Sequence, residues 1–265
     1  MIIDIVRPKT VAEAVRAKSA PGAAWLGGGT WLNSGTAEHV TTLVSLENLG
    51  LDSIRSESGR CLIGAAVTFQ EVADSALVPH ALRAAVRLTA SRTLRNMVTV
   101  GGELGLGALD SAVIPVLIAL GADVTLAGKK KPAQIRNFLD ENSAGLVLGV
   151  SVPDHLIAAV SAVSRTSHSP RSLVAAVSAR AAAPVLQAPV IVVSDCRGRP
   201  VRLEEAENSL DGAVLPPRER IEQIARAGFS PQPDVHASVE YKRYMAGVLV
   251  ADLLAALAVN VEAGT

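Results

Sequence analysis

Short apolar runs punctuate the first third of the chain, and most are followed by a helix-start pattern. Met1 to Val6 reads as a first strand. Thr10-Val11-Ala12-Glu13 is an S/T-x-x-E capping pattern, and Val11, Ala14, Val15 and Lys18 keep helical spacing, so a helix is predicted from Thr10. Pro21-Gly22 ends it, Ala23-Ala24-Trp25-Leu26 reads as a second strand, and Leu43-Val44-Ser45-Leu46 completes a small βαβ-like unit that closes near Asp52.

The pattern restarts at Arg60. Cys61 to Val67 is strand-like, and Thr68-Phe69-Gln70-Glu71 is a second capping box that opens a helix through Ala76. Pro79 opens another helix, with Leu82, Ala85, Val86 and Thr89 on one face. Ala112 to Leu120 is a buried helix stopped by Gly121. Asp123 to Leu126 and Leu146 to Val150 are strand-like, and Pro153-Asp154 is a boundary. Beyond it, residues 158–188 are dominated by Ala, Ser, Val and Arg. Pro189 to Ser194 then forms a strand and Asp195 to Pro200 a turn. At the C-terminus, Met245, Val248, Leu249, Leu253, Ala256 and Leu257 share a helical face, suited to core packing or to a partner.

Composition narrows what such a chain can do. Its 265 residues suffice for two or three compact units; 49% are hydrophobic and only 3% aromatic, so the core is aliphatic. Twenty-five basic residues balance 25 acidic ones, which leaves no basic face for nucleic acid. Lys129-Lys130-Lys131, before Pro132, reads as a solvated loop. With Cys61 and Cys196 alone, the chain can build neither a disulfide framework nor a cysteine-ligated cluster, and Cys61 reads as a small buried hydrophobe. His39, His80, His155, His168 and His236 lack metal-ligand spacing and read as surface or helix-end residues; no metal site is expected. No nucleophile elbow is present, so no catalytic side chain is assigned. The N-terminus lacks a signal-peptide pattern, and the longest apolar stretches are interrupted by Pro115 and Asp252. A cytoplasmic protein without a membrane span is expected.

Two glycine motifs carry the candidate chemistry: Gly27-Gly28-Gly29-Thr30 after Leu26, and Thr99-Val100-Gly101-Gly102 after Leu94-Arg95-Asn96. Backbone without Cβ atoms can turn successive N–H groups on an anion, and each motif has a threonine hydroxyl beside it. Neither motif is a Walker loop or a Rossmann fingerprint, and each taken alone reads first as a tight turn.

The segment Trp25-Leu26-Gly27-Gly28-Gly29-Thr30-Trp31-Leu32 resembles the A-G-G-T-D-L-type loop of the FAD-binding subunits of molybdenum hydroxylases, the family of xanthine dehydrogenase and aerobic carbon monoxide dehydrogenase. Leu94 to Gly102 resembles that family's I-R-N-x-x-T-I-G-G signature, and Pro115 to Ala122 its P-x-L-L-A-L-x-A helix. Tyr241-Lys242-Arg243-Tyr244 with Val248-Leu249 resembles its Y-R-x-x-x-x-x-V-L segment.

Within that family, the chain resembles most the stand-alone xanthine-dehydrogenase-like FAD subunit. The resemblance implies an α+β chain with a two-subdomain FAD-binding fold of the vanillyl-alcohol-oxidase/PCMH type, residues 1–55 and 56–153, plus a smaller α+β C-terminal domain, 154–265. It implies noncovalent FAD held by Leu26, Gly27, Gly28, Gly29, Thr30, Trp31, Leu32, Arg95, Asn96, Thr99, Val100, Gly101, Gly102 and Asp110, with the diphosphate between the two motifs. Arg95 and Asn96 either shape the second motif or touch FAD. A β-branched residue at Gly28 or Gly101 is expected to obstruct the diphosphate while leaving the fold intact.

Molybdopterin and [2Fe-2S] clusters are expected only on partner subunits, a large and a small one, with NAD or another acceptor receiving the electrons. The chain departs from the family pattern at Glu103, where Asn is frequent, and at Ser111-Ala112, where Ser-Asp is common, with Asp110 displaced. Those departures keep open a noncatalytic scaffold with weak or no FAD binding; a stand-alone NAD(P)H-dependent flavin reductase is a third reading.

Overall fold

A computed structural model describes residues 2–32, 39–89, 91–141, 145–166, 169–182 and 185–263, with side chains through 259. His168 lies outside the described residues. The chain divides into two compact units, one of residues 1–78, 90–107 and 123–152, the other of 79–89, 108–122 and 153–265.

In the first unit, Asp4–Val6, Thr42–Ser45 and Ala23–Leu26 form a parallel three-stranded sheet with Thr42–Ser45 in the middle. Trp25 stands opposite Val44 in this register. The helix Val11–Lys18 starts where the capping pattern predicts, Thr10 Oγ1 accepting from the Glu13 N–H. Ala14 of that helix packs with Ala23, Val44, Leu46 and Leu146 to close a small core.

A five-stranded sheet follows, in the order Ile54–Glu57, Arg60–Gly64, Val147–Pro153, Asp123–Leu126, Ala133–Gln134. Its first strand is too polar to be recognised from its own residues. The hairpin is made by Ser58 and Gly59, which hold φ of 53° and 74°, as a two-residue turn matched to strand twist requires. Across the sheet's inner strands Arg60 pairs with Asp123 at 2.7 Å and with Ser151 Oγ at 2.8 Å. The second capping box is complete, Thr68 and Glu71 satisfying each other's N–H groups ahead of the helix Phe69–Asp74.

In the second unit, the stretch rich in Ala, Ser and Val becomes sheet. Ile157–Ser164, Arg171–Ala182, Val185–Ser194 and Val201–Arg202 form an antiparallel sheet in that spatial order. Small residues suit it because the central strand is buried on both faces from Ser172 to Ala179. One face, Leu173, Ala175, Val177 and Ala179, joins the core of Leu249, Leu253, Leu254 and Leu257 from the long helix Val239–Ala263. On the other, Ser178 donates to the Ala119 carbonyl in the helix Val113–Ala119. The C-terminal stripe is therefore core packing, except that Ala256 is exposed and Ala246, Val250 and Leu254 take part.

Because this sheet needs cover on both faces, the helices His80–Thr89 and Val113–Ala119 group with residues 153–265. The compact units are thus interleaved in sequence, unlike the contiguous segments 1–55, 56–153 and 154–265. Gly121, at φ 62°, stops the second of those helices as expected. No helix of the described residues is long and apolar enough to cross a membrane.

Candidate functional site

The strand Ala23–Leu26 runs directly into the first glycine motif, where Gly29 adopts φ 72°. The second motif is not a turn. It is the first turn of the helix Val100–Leu106, capped by Thr99, whose Oγ1 accepts from the Gly102 N–H at 3.1 Å. Thr99 also faces Thr68 in an isolated antiparallel bridge, with the Phe69 N–H donating to the Val98 carbonyl at 2.9 Å and the Val100 N–H to the Val67 carbonyl at 3.0 Å. The second motif is thereby fastened to the segment from Ala65 to Phe69, which joins a strand end to a helix start.

The two motifs pack directly on each other. A Cβ on Gly28 would lie 1.4 Å from the Met97 carbonyl oxygen, and one on Gly27 would lie 2.8 Å from Thr99 Oγ1. On Gly101 it would lie 2.6 Å from the Ala65 Cβ. These glycines permit backbone to meet backbone, far inside the contact distance any side chain tolerates. The expectation that a larger residue at Gly28 or Gly101 would spare the fold is corrected on this ground: the added atoms point into the protein.

Both motifs line one cavity of about 390 Å³ in the first unit, within the range of roughly 300–1,000 Å³ typical of ligand pockets. Gly27, Gly28, Gly29, Thr30, Trp31, Leu32, Thr99, Gly101 and Gly102 line it. Leu26, Arg95, Asn96, Val100 and Asp110 do not.

The excluded residues have structural duties. Leu26 accepts the Leu46 N–H at its carbonyl, and Val100 is buried in the helix start. Arg95 Nε donates to Gln70 Oε1 at 3.1 Å, and Asn96 ends the helix Arg92–Arg95 just ahead of the second motif. Asp110 is exposed in the second unit, where Arg171 grips its carbonyl from Nε and Nη2 at 2.9 and 2.6 Å. Ser111 Oγ accepts from the Val113 and Ile114 N–H groups at 3.1 Å, capping the helix that follows.

Hydrogen-bond accounting corrects a second expectation. The N–H groups of Val100, Gly101, Gly102 and Glu103 already reach Val67 O, Ala65 O, Thr99 Oγ1 and Thr99 O. The second motif therefore offers a close wall instead of a row of donors. Lys18, Ala65 and residues 145–147, none of them expected there, also line the cavity, as does His39, expected at the surface or a helix end. Lys18 ends a helix nine residues before the first glycine; no local signal marks it. Glu103, the departure from the family pattern, is buried in the lining.

Elsewhere, burial pushes the Cys196 thiol up to about 11, with the Asp110 and Asp195 carboxylates adding to it against Arg171 and Lys242. That thiol stays protonated and is no nucleophile. Cys61 is fully buried. Among the described residues no cluster of His, Cys, Asp and Glu could hold a metal ion.

Residues 1–161 match the family described as the FAD binding domain in molybdopterin dehydrogenase. The chain belongs to this family. The uncharacterized protein YgfM of Escherichia coli (strain K12) is 32% identical over 260 residues, 96% of each chain. Among solved structures, quinoline 2-oxidoreductase from Pseudomonas putida 86 is similar over 98% of each chain, with TM-score 0.88 and 19% identity. Carbon monoxide dehydrogenase from Hydrogenophaga pseudoflava, in a form lacking the Mo-pyranopterin moiety of its cofactor, is similar over 97% of each, with TM-score 0.85 and 23% identity. At these identities the two structures carry the fold, and the family match carries FAD.

The residues present fit that cofactor. A glycine-lined cavity admits close backbone approach, and hydroxyl, backbone and ammonium groups in its wall suit a nucleotide diphosphate better than a metal.

Proposed function

We propose that this FAD-binding chain is the electron-transfer subunit of a molybdenum hydroxylase, working between an iron–sulfur partner and a terminal acceptor, NAD or another. The observation that carries the reading is the joint cavity: two motifs some 70 residues apart pack on each other, Gly27 against Thr99 and Gly28 against the Met97 carbonyl just ahead of it, and line one ligand-sized space. Bound FAD would supply the redox chemistry. The chain's own residues would hold it: the loop Gly27 to Thr30 would supply close backbone, Thr99 keeps the second wall in place, and Leu32 and Leu106 would add apolar wall beside it.

Molybdopterin on a large subunit and [2Fe-2S] clusters on a small one complete the proposed assembly, located in the cytoplasm. The solved relatives' names refer to carbon monoxide and quinoline, and a xanthine-dehydrogenase-like assembly is the finer reading we adopt from the motif pattern. Absorbance and mass analysis of the purified chain tests the first step, and expression with its neighbouring gene products tests the second. Stoichiometric flavin and co-purified molybdenum and iron support the reading; a chain that cannot be reconstituted with FAD overturns it. That last result would favour the scaffold alternative, which the buried Glu103 carboxylate in the cavity wall motivates.

A further inference from the structure

Aromatic rings are scarce here, and their placement is informative. The chain has two Trp, two Tyr and three Phe, and both tryptophans line the cavity while every Tyr and Phe lies outside it. Besides Trp25 and Trp31, the lining has one further ring, the His39 imidazole. The two indoles differ in surroundings. Trp25 sits within the parallel sheet opposite Val44 and packs against the core of Ala14, Val44 and Leu146. Trp31 follows the glycine motif, outside any strand, and is 37% exposed. In the loop type that this segment resembles, an aspartate stands at that place, so a carboxylate is replaced by the largest apolar ring.

On the basis of the FAD reading above, we propose that Trp31 is the aromatic face on which a planar ring of the bound dinucleotide stacks. An indole on a cavity wall that is partly open to water gains by covering its face, and offset stacking on a flat heteroaromatic ring is the contact that covers it best. Aliphatic neighbours such as Leu32 and Leu106 give area without a flat platform. Either the isoalloxazine or the adenine has the required shape, and binding of their separate halves tells them apart.

The test titrates FAD into wild-type protein and into Trp31→Ala, Trp31→Phe and Trp25→Phe, following flavin emission, with circular dichroism to verify the fold. Trp31→Ala should raise the FAD Kd by roughly tenfold or more, the scale of one ring stacked on an aromatic side chain, and Trp31→Phe should recover most of it. Parallel titrations with FMN and ADP assign the ring: the half whose binding falls in Trp31→Ala is the half that stacks. Equal FAD affinity in wild type and Trp31→Ala overturns the proposal while leaving the FAD reading intact. Absence of FAD binding by the wild type overturns both. If Trp31→Ala does not fold, Trp31→Leu is compared with Trp31→Phe; equal affinities overturn the proposal, and a tenfold gap in favour of Phe supports it.

Discussion

Replacing Lys242 with Met removes a charge from a place that water does not reach. The side chain is fully buried, and its ammonium donates to the Asp195 carbonyl at 3.1 Å, the Gln232 carbonyl at 2.9 Å and Asp234 Oδ2 at 2.8 Å. It thus ties the long C-terminal helix to the turn after the strand Val185–Ser194 and to the segment before the helix. Methionine fills similar volume, but it leaves two carbonyls without their donor and the Asp234 carboxylate, 4% exposed, with Arg197 and the His236 and Ala237 N–H groups alone. Breaking a buried pair from one side costs about 3–5 kcal/mol. At roughly 2–4 °C per kcal/mol, the melting temperature should fall by about 6–20 °C.

The pH dependence has a definite sign. Burial by itself would raise the Asp234 carboxyl, but the Lys242 ammonium, the two N–H groups and Arg197 outweigh it and hold the group well below the usual carboxylate range. Asp195 is lowered in the same way, against its burial, by the N–H groups of Gln232, Gly198 and Arg197 and by the charge of Lys242. Both carboxyls bind protons more readily unfolded than folded. Their contribution is present above about pH 4 and is lost as the pH falls below it toward the folded values. Lys242→Met should therefore also move the acid-unfolding midpoint upward. Thermal melts by circular dichroism between pH 3 and 7 measure both effects, and a drop below about 2 °C at pH 7 would refute the argument, since it implies under about 1 kcal/mol.

Three other outcomes follow from the same contacts. Gly28→Ala should lower stability and flavin content together, because the new methyl overlaps the Met97 carbonyl, whereas Gly105→Ala meets nothing within 4 Å and should melt no lower than wild type. Thr99→Ala, which removes the cap on Gly102, should destabilise by about 1 kcal/mol in denaturant unfolding. Arg171→Ala leaves the Asp110, Leu88 and Thr89 carbonyls without their donor and should cost roughly 1–3 kcal/mol, while Asp110→Ala should retain flavin, as a residue outside the cavity wall.

What the sequence determined by itself is local. Thr10, Thr68 and their glutamates mark helix starts because a hydroxyl and an N–H three residues away settle the geometry between them. The Gly27 and Gly101 motifs were legible as places where backbone must come close, since only glycine permits that approach. Tertiary structure decided what approaches what. Gly28 meets Met97 and Gly101 meets Ala65, and the N–H groups read as anion donors in the second motif serve Val67, Ala65 and Thr99 instead.

The Ala- and Ser-rich run after residue 157 reads as no particular element, because small residues have weak preferences. It becomes sheet only through Leu173 to Ala179 being covered on both faces by helices drawn from distant parts of the chain. Lys18 and Ala65 reach the cavity through folding alone, and Lys242 looks like any surface lysine until Asp195, Gln232 and Asp234 close around it. Hydrogen bonds within four residues are written into adjacent letters; pairings across a hundred residues depend on a packing that no short window contains.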